Sequence, residues 1–521
     1  MKMTKGLKMV AVMLLLVVPA AAVVGSEFKG TVKAGWVFED IEGNQGVYQP
    51  TYNLYPGGTI SLERMSYRFD NGVRLNGNFQ NITLNNRNLA LGVTKSGLFG
   101  VSVTNNQYRR TYSFDGDKFT RRNQTNGQVW VQPLKYVKLF GGYGLTNKQG
   151  EMVDLVDPDI TRNVNQVDYT HKYYNGGVQF MYDRSYLQFQ YQGFDYSDEL
   201  NDLGDRKTNR VRVTAVTPVP RINNLLLNGG FQHYVHRVEN FDDTLSANTV
   251  WGGARYAYKY GLSVRYSFIF DRARRTEDLA ATDNITHAVY ADKVWRGQGG
   301  VSVGYRRHTS DDVRYEVKGN GYFFYGWTSH IPHMTIKAGL GTENSEVESG
   351  RTLTGDQDLT RYWASARYKF DYGNVRIKFE DKTRKHDDIG SKADFSRIGT
   401  DFTLKYGRFG EVYGTYAYLY GKYTNDAGEF KFCEHVLSGD AFTTEYMHLK
   451  AGFGGTYVRS RKDLNVESFT VRFTGIFSFM KDHRLEVIYS AHNFDNFDDI
   501  SPIYTQYYTS NVVEVNIVKE F

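Results

Sequence analysis

Cysteine is almost missing from these 521 residues: Cys433 stands alone. That excludes an intramolecular disulfide, a CxxC pair and the CxxCH motif that anchors c-type haem, so the chain holds no haem covalently. Beyond Val24 no apolar run approaches the roughly 20 residues that a membrane-crossing helix needs. If this chain sits in a membrane, it crosses as strands. A surplus of charge is missing too. The 63 Lys and Arg stand against 57 Asp and Glu, a balance that argues against nucleic acid, whose binding needs a dense basic patch. No GxSxG, HExxH or P-loop occurs and the 12 His are scattered, so neither an enzyme nor a metal site is expected. His233 and His236 in FQHYVHRV come nearest to a ligand pair, but residues three apart on a strand face opposite ways.

What is present starts with Lys2, Lys5 and Lys8 ahead of an apolar stretch from Met9 to Val24. Small residues follow, which marks residues 1–26 as a secretory signal peptide. Residues 27–521 then form one domain. The chain holds 40 Tyr, 33 Phe and 52 Gly against 9 Pro, a composition that suits sheets and aromatic girdles.

From Thr31 onward, runs of about ten residues alternate apolar and polar, then turn, then alternate again. In GNVRIKFEDK, Val375, Ile377 and Phe379 share one face while Arg376, Lys378 and Glu380 share the other. In LSVRYSFIF the outer row is Val264, Tyr266, Phe268 and Phe270, and Arg265 points inward. A charged face opposite an apolar one fits a wall between lipid and an aqueous lumen. Short turns such as DNG, KSG, PLKY, DRS, RGQG and KDHR mark one rim, and longer polar stretches mark the other. The expected fold is all-β: a transmembrane, antiparallel, up-and-down barrel of 24 to 26 strands. About 26 is favoured, because FTTEYMHLKAGFGGTYVRSRK must then be a hairpin. The chain finishes in NVVEVNIVKEF, and a terminal Phe521 closing an alternating strand resembles an outer-membrane insertion signal.

Parity names Arg210, Arg212, Arg265, Arg314, Glu316, Lys318, Arg376, Lys378, Glu380 and Arg472 as lumen-facing. The six Trp are read as girdle or packing residues, and Cys433 as an ordinary strand or loop position. Some 26 strands enclose a cylinder roughly 50 Å across if circular. Large transporters close such a lumen with a plug, but the first strand, GTVKAGWVF, begins just after the signal and no segment suits a plug. Closure then falls to in-folded loops, for which Glu151 to Gln166 and Tyr423 to Phe442 look long enough, to a flattened barrel, or to another protein.

The closing stretch, FTGIFSFMKDHRLEVIYSAHNFDNFDD followed by SNVVEVNIVKEF, resembles the end of the MtrB/PioB-type barrels of porin–cytochrome electron conduits. The hairpins VWVQPLKYVKLFGGYG and ARYAYKYGLSVRYSF are similar to the repeating unit of that family. The resemblance implies a periplasmic multihaem c-type cytochrome threaded into the lumen, an extracellular multihaem cytochrome beyond it, and electrons passing across the Gram-negative outer membrane. Haem would then be present only through a partner, with outer-membrane lipid as the other contact. A diffusion porin or solute-specific channel, with lumen charges setting selectivity, is the competing expectation.

Overall fold

The computed structural model describes residues 28–521 apart from 54, 114, 154–163, 201–203, 223, 240–242, 276–280, 313–314, 351–354, 388, 408–409 and 498–506. The expected signal peptide therefore lies outside the described residues, as does Arg314. Alternation becomes strand along almost the whole length. In chain order these are β1 (Lys29–Gly43), β2 (Gly57–Arg68), β3 (Val73–Gln80), β4 (Asn88–Lys95), β5 (Phe99–Thr111), β6 (Phe119–Leu134), β7 (Val137–Val153), β8 (Val164–Tyr182) and β9 (Ser185–Asp198). There follow β10 (Arg206–Pro218), β11 (Leu225–Val238), β12 (Asp243–Ala257), β13 (Leu262–Arg275), β14 (Thr282–Trp295), β15 (Gly299–Asp312), β16 (Tyr315–Thr328), β17 (Met334–Gly350) and β18 (Gln357–Phe370). The last are β19 (Gly373–His386), β20 (Ser391–Lys405), β21 (Gly410–Asn425), β22 (Gly428–Thr443), β23 (Leu449–Lys462), β24 (Val466–Met480), β25 (His483–Asn496) and β26 (Tyr508–Glu520).

Each strand pairs antiparallel with its sequence neighbours, and β26 returns to β1 in an unbroken register from Thr31↔Glu520 to Gly43↔Tyr508. The result is a closed, 26-stranded, up-and-down barrel. Closure leaves no unpaired sheet edge, which is the condition for crossing hydrocarbon with strands. The strand count is as favoured, but the segment read as a hairpin holds only the last two residues of β22, the turn at 444–448 and the whole of β23, because β22 is built mostly from residues 428–441 before it.

At one rim the turns are tight. Gly72 (φ 80°) and Gly297 (φ 76°) occupy left-handed backbone conformations there, which side chains with a Cβ rarely adopt. The opposite rim differs from expectation. Tyr423–Phe442 is not an in-folding loop: it is the end of β21, a two-residue turn at Asp426 and Ala427, and the start of β22. The charged, polar stretches continue the ladders because the strands outrun the bilayer. β13 has 14 residues, whereas spanning needs about 9–11.

The connection between β1 and β2 folds inward instead. It forms an eight-residue helix, α1 (Gln45–Tyr52). The Asn44 side chain caps its start by accepting from the Val47 amide at 3.3 Å. At its end Asn53 turns left-handed (φ 50°) and donates its amide to Gln49 O at 2.8 Å. Only nine apolar or aromatic side chains are buried among the described residues, and seven of them (Ala34, Val37, Tyr48, Tyr55, Tyr508, Val512 and Val518) lie around this helix or along the β1–β26 seam. Elsewhere among the described residues the wall is one sheet thick.

Candidate functional site: the inner wall

Directly paired residues point to the same side of a sheet, so one oriented residue orients its neighbours around the ring. α1 supplies the reference. Tyr48 stacks edge-on against Tyr508 at 5.2 Å, Tyr52 lies on the His492 ring at 4.0 Å, and the Tyr52 hydroxyl meets Thr470 Oγ1 at 3.2 Å. Burial among these rings pushes the pKa of the Tyr48 hydroxyl upward. The faces of β24, β25 and β26 that carry Thr470, His492 and Tyr508 are therefore inner faces. Their reverse sides present Phe473, Phe477 and Val487, all more than a third exposed. Large apolar side chains left bare around the whole circumference, such as Val103, Val129, Tyr322, Phe324 and Leu437, form the band that lipid covers.

Followed around the ring, the register puts Arg210 and Arg212 beside Gln192 and Gln190, and Arg265 beside Arg255 and Tyr290, on the inner face. Arg376, Lys378, Glu380 and Arg472 share that face. Glu316 and Lys318 do not. Inner residues of β16 are Val317, Gly319, Gly321 and Phe323, so the two charged residues stand outside, in line with Tyr322 and Phe324. They sit at the strand end that clears the bilayer, where an outward charge meets water, and Lys318 pairs there with Glu316 at 3.0 Å and with Glu348 at 2.5 Å. Charge marks the inner face only within the hydrocarbon layer.

Several inner cations are tied down. Arg265 makes a two-pronged pair with Asp292 at 3.0 and 3.1 Å, and Arg306 and Arg472 reach Glu343 and Asp440. Others lie over rings: Arg212 over Trp251 at 4.9 Å and Lys138 over Trp130 at 4.7 Å. Arg255, Arg265, Asp292, Tyr325 and Trp327 line an inner cavity of about 320 Å³. Of the two readings given to the indoles, girdle or packing, four follow the second. Trp130, Trp251, Trp327 and Trp363 face inward, and each covers a cross-strand glycine: Gly100, Gly230, Gly300 and Gly339. Only a residue without Cβ leaves room for an indole lying flat there. Trp36 and Trp295 face outward.

Strands β18–β20 carry the densest charge. Inward they present Arg361, Arg367 and Lys369, then Arg376, Lys378, Lys382 and Arg384, then Arg397 and Lys405, against only Glu380 and Asp401. Arg361 takes Glu380 at 2.8 Å, while Arg376 and Lys378 both take Asp401 at 2.6 Å. Composition hides this tract, since the whole-chain balance is near neutral. Cys433 faces outward between Tyr420 and Arg461, partly buried. His233 and His236 fall on opposite faces, hydrogen-bonded to Asn248 and Thr208.

No family model and no curated protein matches the sequence. Among solved structures, the chain superposes on the ferric enterobactin receptor PfeA of Pseudomonas aeruginosa with a TM-score of 0.53 at 9% identity, over 96% of this chain and 81% of that one. The siderophore receptor PirA of Acinetobacter baumannii gives a TM-score of 0.53 at 8% identity over the same shares. The chain is an outer-membrane β-barrel. At such identity the likeness is one of fold; what sets the barrel in the Gram-negative outer membrane is its closed wall of strands with an exposed apolar and aromatic band.

Proposed function

We propose that the barrel sheathes a periplasmic multihaem c-type cytochrome and forms with it, and with an extracellular multihaem cytochrome, a conduit for electrons across the outer membrane. The observation that carries this reading is a closed wall of 26 strands with, among the described residues, one eight-residue helix on its inner face. A circle of that size is roughly 50 Å across between backbones, far wider than α1 fills, and left open it would drain the periplasm of solutes. A folded guest closes it. The electron carriers are then the partner's. The barrel contributes exclusion of lipid, a fixed position for the guest and a polar lining that keeps the guest's surface hydrated. The resemblance of the closing strands to MtrB/PioB-type barrels supports the same reading.

Gentle purification of the barrel from the bacterium that makes it, followed by haem staining of the intact complex, tests the proposal. A stoichiometric haem-bearing polypeptide is expected. A colourless barrel that passes small ions in a planar bilayer would instead favour a channel, a second reading to which the inner cations lend support because they would select among ions.

A further inference from the structure

We propose that the inner face of β18–β20 is the docking strip for an acidic surface of the guest protein. The inference rests on the sheath reading and adds the charge of the face that the guest presents. Nine inward cations on three adjacent strands meet two carboxylates, which leaves an excess of seven positive charges. Among the described residues no other three adjacent strands carry as large an excess on the inner face. Two of the cross-strand pairs are like-charged: Arg367 stands opposite Arg376, and Arg361 opposite Lys382. Such pairs destabilise a sheet, and the two acids at hand are already engaged by Arg361, Arg376 and Lys378. Lys382, Arg384 and Arg397 have no carboxylate partner among the described residues.

Elsewhere on the wall cations are sparser on the inner face, and several have counter-charges of the chain's own. Asp292 answers Arg265, Asp440 answers Arg472, and Glu486 answers both Lys33 and Arg484. Within the strip Lys405 is answered from the neighbouring strand, by Glu411 at 3.4 Å, but among the described residues no carboxylate answers Lys382, Arg384 or Arg397, and acids on the guest would do so. Lipid cannot, because these side chains point away from it. Three strands spaced about 4.8 Å apart give a band wide enough for several carboxylates of a folded partner, and the wall behind it is held rigid by backbone pairing. Complementary charge of this kind fixes the rotational register of a guest and speeds its insertion.

The experiment compares three barrels purified from the native bacterium under identical mild conditions: wild type, a strip variant (Lys382→Glu, Arg384→Glu, Arg397→Glu) and a control (Arg122→Glu, Lys138→Glu, Lys148→Glu). The control reverses inner cations on β6 and β7. Folding of each is verified by heat-modifiable gel mobility. The strip variant should retain about tenfold less haem per barrel than wild type, as expected for reversed charges at a desolvated contact. The control should stay near wild type, and wild type should shed haem at about 1 M salt, where charges are screened within a few ångströms. A folded strip variant with full haem content overturns the docking strip and leaves the sheath standing. Equal losses in strip and control variants overturn it as well. A wild-type barrel without any haem protein defeats the sheath reading itself, and the strip falls with it.

Discussion

Tyr52 of the in-folded helix lies on the ring of His492 in β25, with centroids 4.0 Å apart. This contact and the edge-on packing of Tyr48 against Tyr508 clamp α1 to the inner face beside the β1–β26 seam. Tyr48 is fully buried, so Tyr48→Ala removes a large aromatic from a packed site. The helix should lose about 3 kcal/mol of local stability. Amide hydrogen exchange should accelerate across Gln45–Tyr52 while the strands stay protected; unchanged protection of the helix would show that the ring does not hold it.

Neighbours on one strand should respond in opposite ways according to the face they occupy. Phe473 points to lipid and Arg472 to the lumen. Phe473→Arg should lower unfolding stability in phospholipid vesicles by about 2–4 kcal/mol if it lies near the bilayer midplane. Arg472→Gln loses an exposed pair with Asp440 and should cost about 1 kcal/mol or less. Urea titration of both variants checks the assignment, and a reversed order would refute it.

Lys318 stands outside the wall beyond the lipid, and Lys378 inside it. In a Cys433→Ser background, Lys318→Cys should react within minutes with a bulky, membrane-impermeant thiol reagent added to whole cells. Lys378→Cys should react far more slowly while the lumen is occupied, and faster once the complex is stripped with salt. Rapid labelling of both sites in the intact complex would argue for an empty barrel.

A Cβ built on Gly230 would lie 2.3 Å from Trp251 Cζ2 and 2.3 Å from the Val213 carbonyl oxygen. Gly230→Val must push the indole aside and strain the backbone, at about 1–3 kcal/mol. Gly92 is also inward, but its Cβ would meet nothing nearer than the Val101 oxygen at 3.8 Å. Gly92→Ala should therefore be close to neutral. Denaturation midpoints of the two variants, with indole fluorescence to follow Trp251, separate the effects.

The barrel itself was legible because its physics is periodic. Alternation in segments such as GNVRIKFEDK and LSVRYSFIF sets strand and face together, and DNG, KSG and RGQG set one rim. Three features were not legible, for different reasons. α1 lies in GVYQPTY, too short and too aromatic to show a helical period, and its stability comes from Tyr508 and His492, hundreds of residues away in sequence. Glu316 and Lys318 misled because polarity reports facing only where lipid is present. The inward indoles depend on which glycine stands opposite, which only the register reveals. Of the candidate inner residues, Arg376, Lys378 and Glu380 belong to the basic strip. Its other members were missed because the excess emerges only when β18, β19 and β20 are laid side by side.

The strands are longer than the bilayer requires. Fourteen residues, the length of β13, rise roughly 36 Å at a tilt of about 40°, against an apolar band of about 25 Å. About 10 Å of sheet therefore stands in water as a stiff collar, cross-linked by main-chain hydrogen bonds. A protein landing on the cell-surface side would rest on that collar at a height set by strand length, so its separation from whatever occupies the bore would be fixed by architecture and not by the sway of loops.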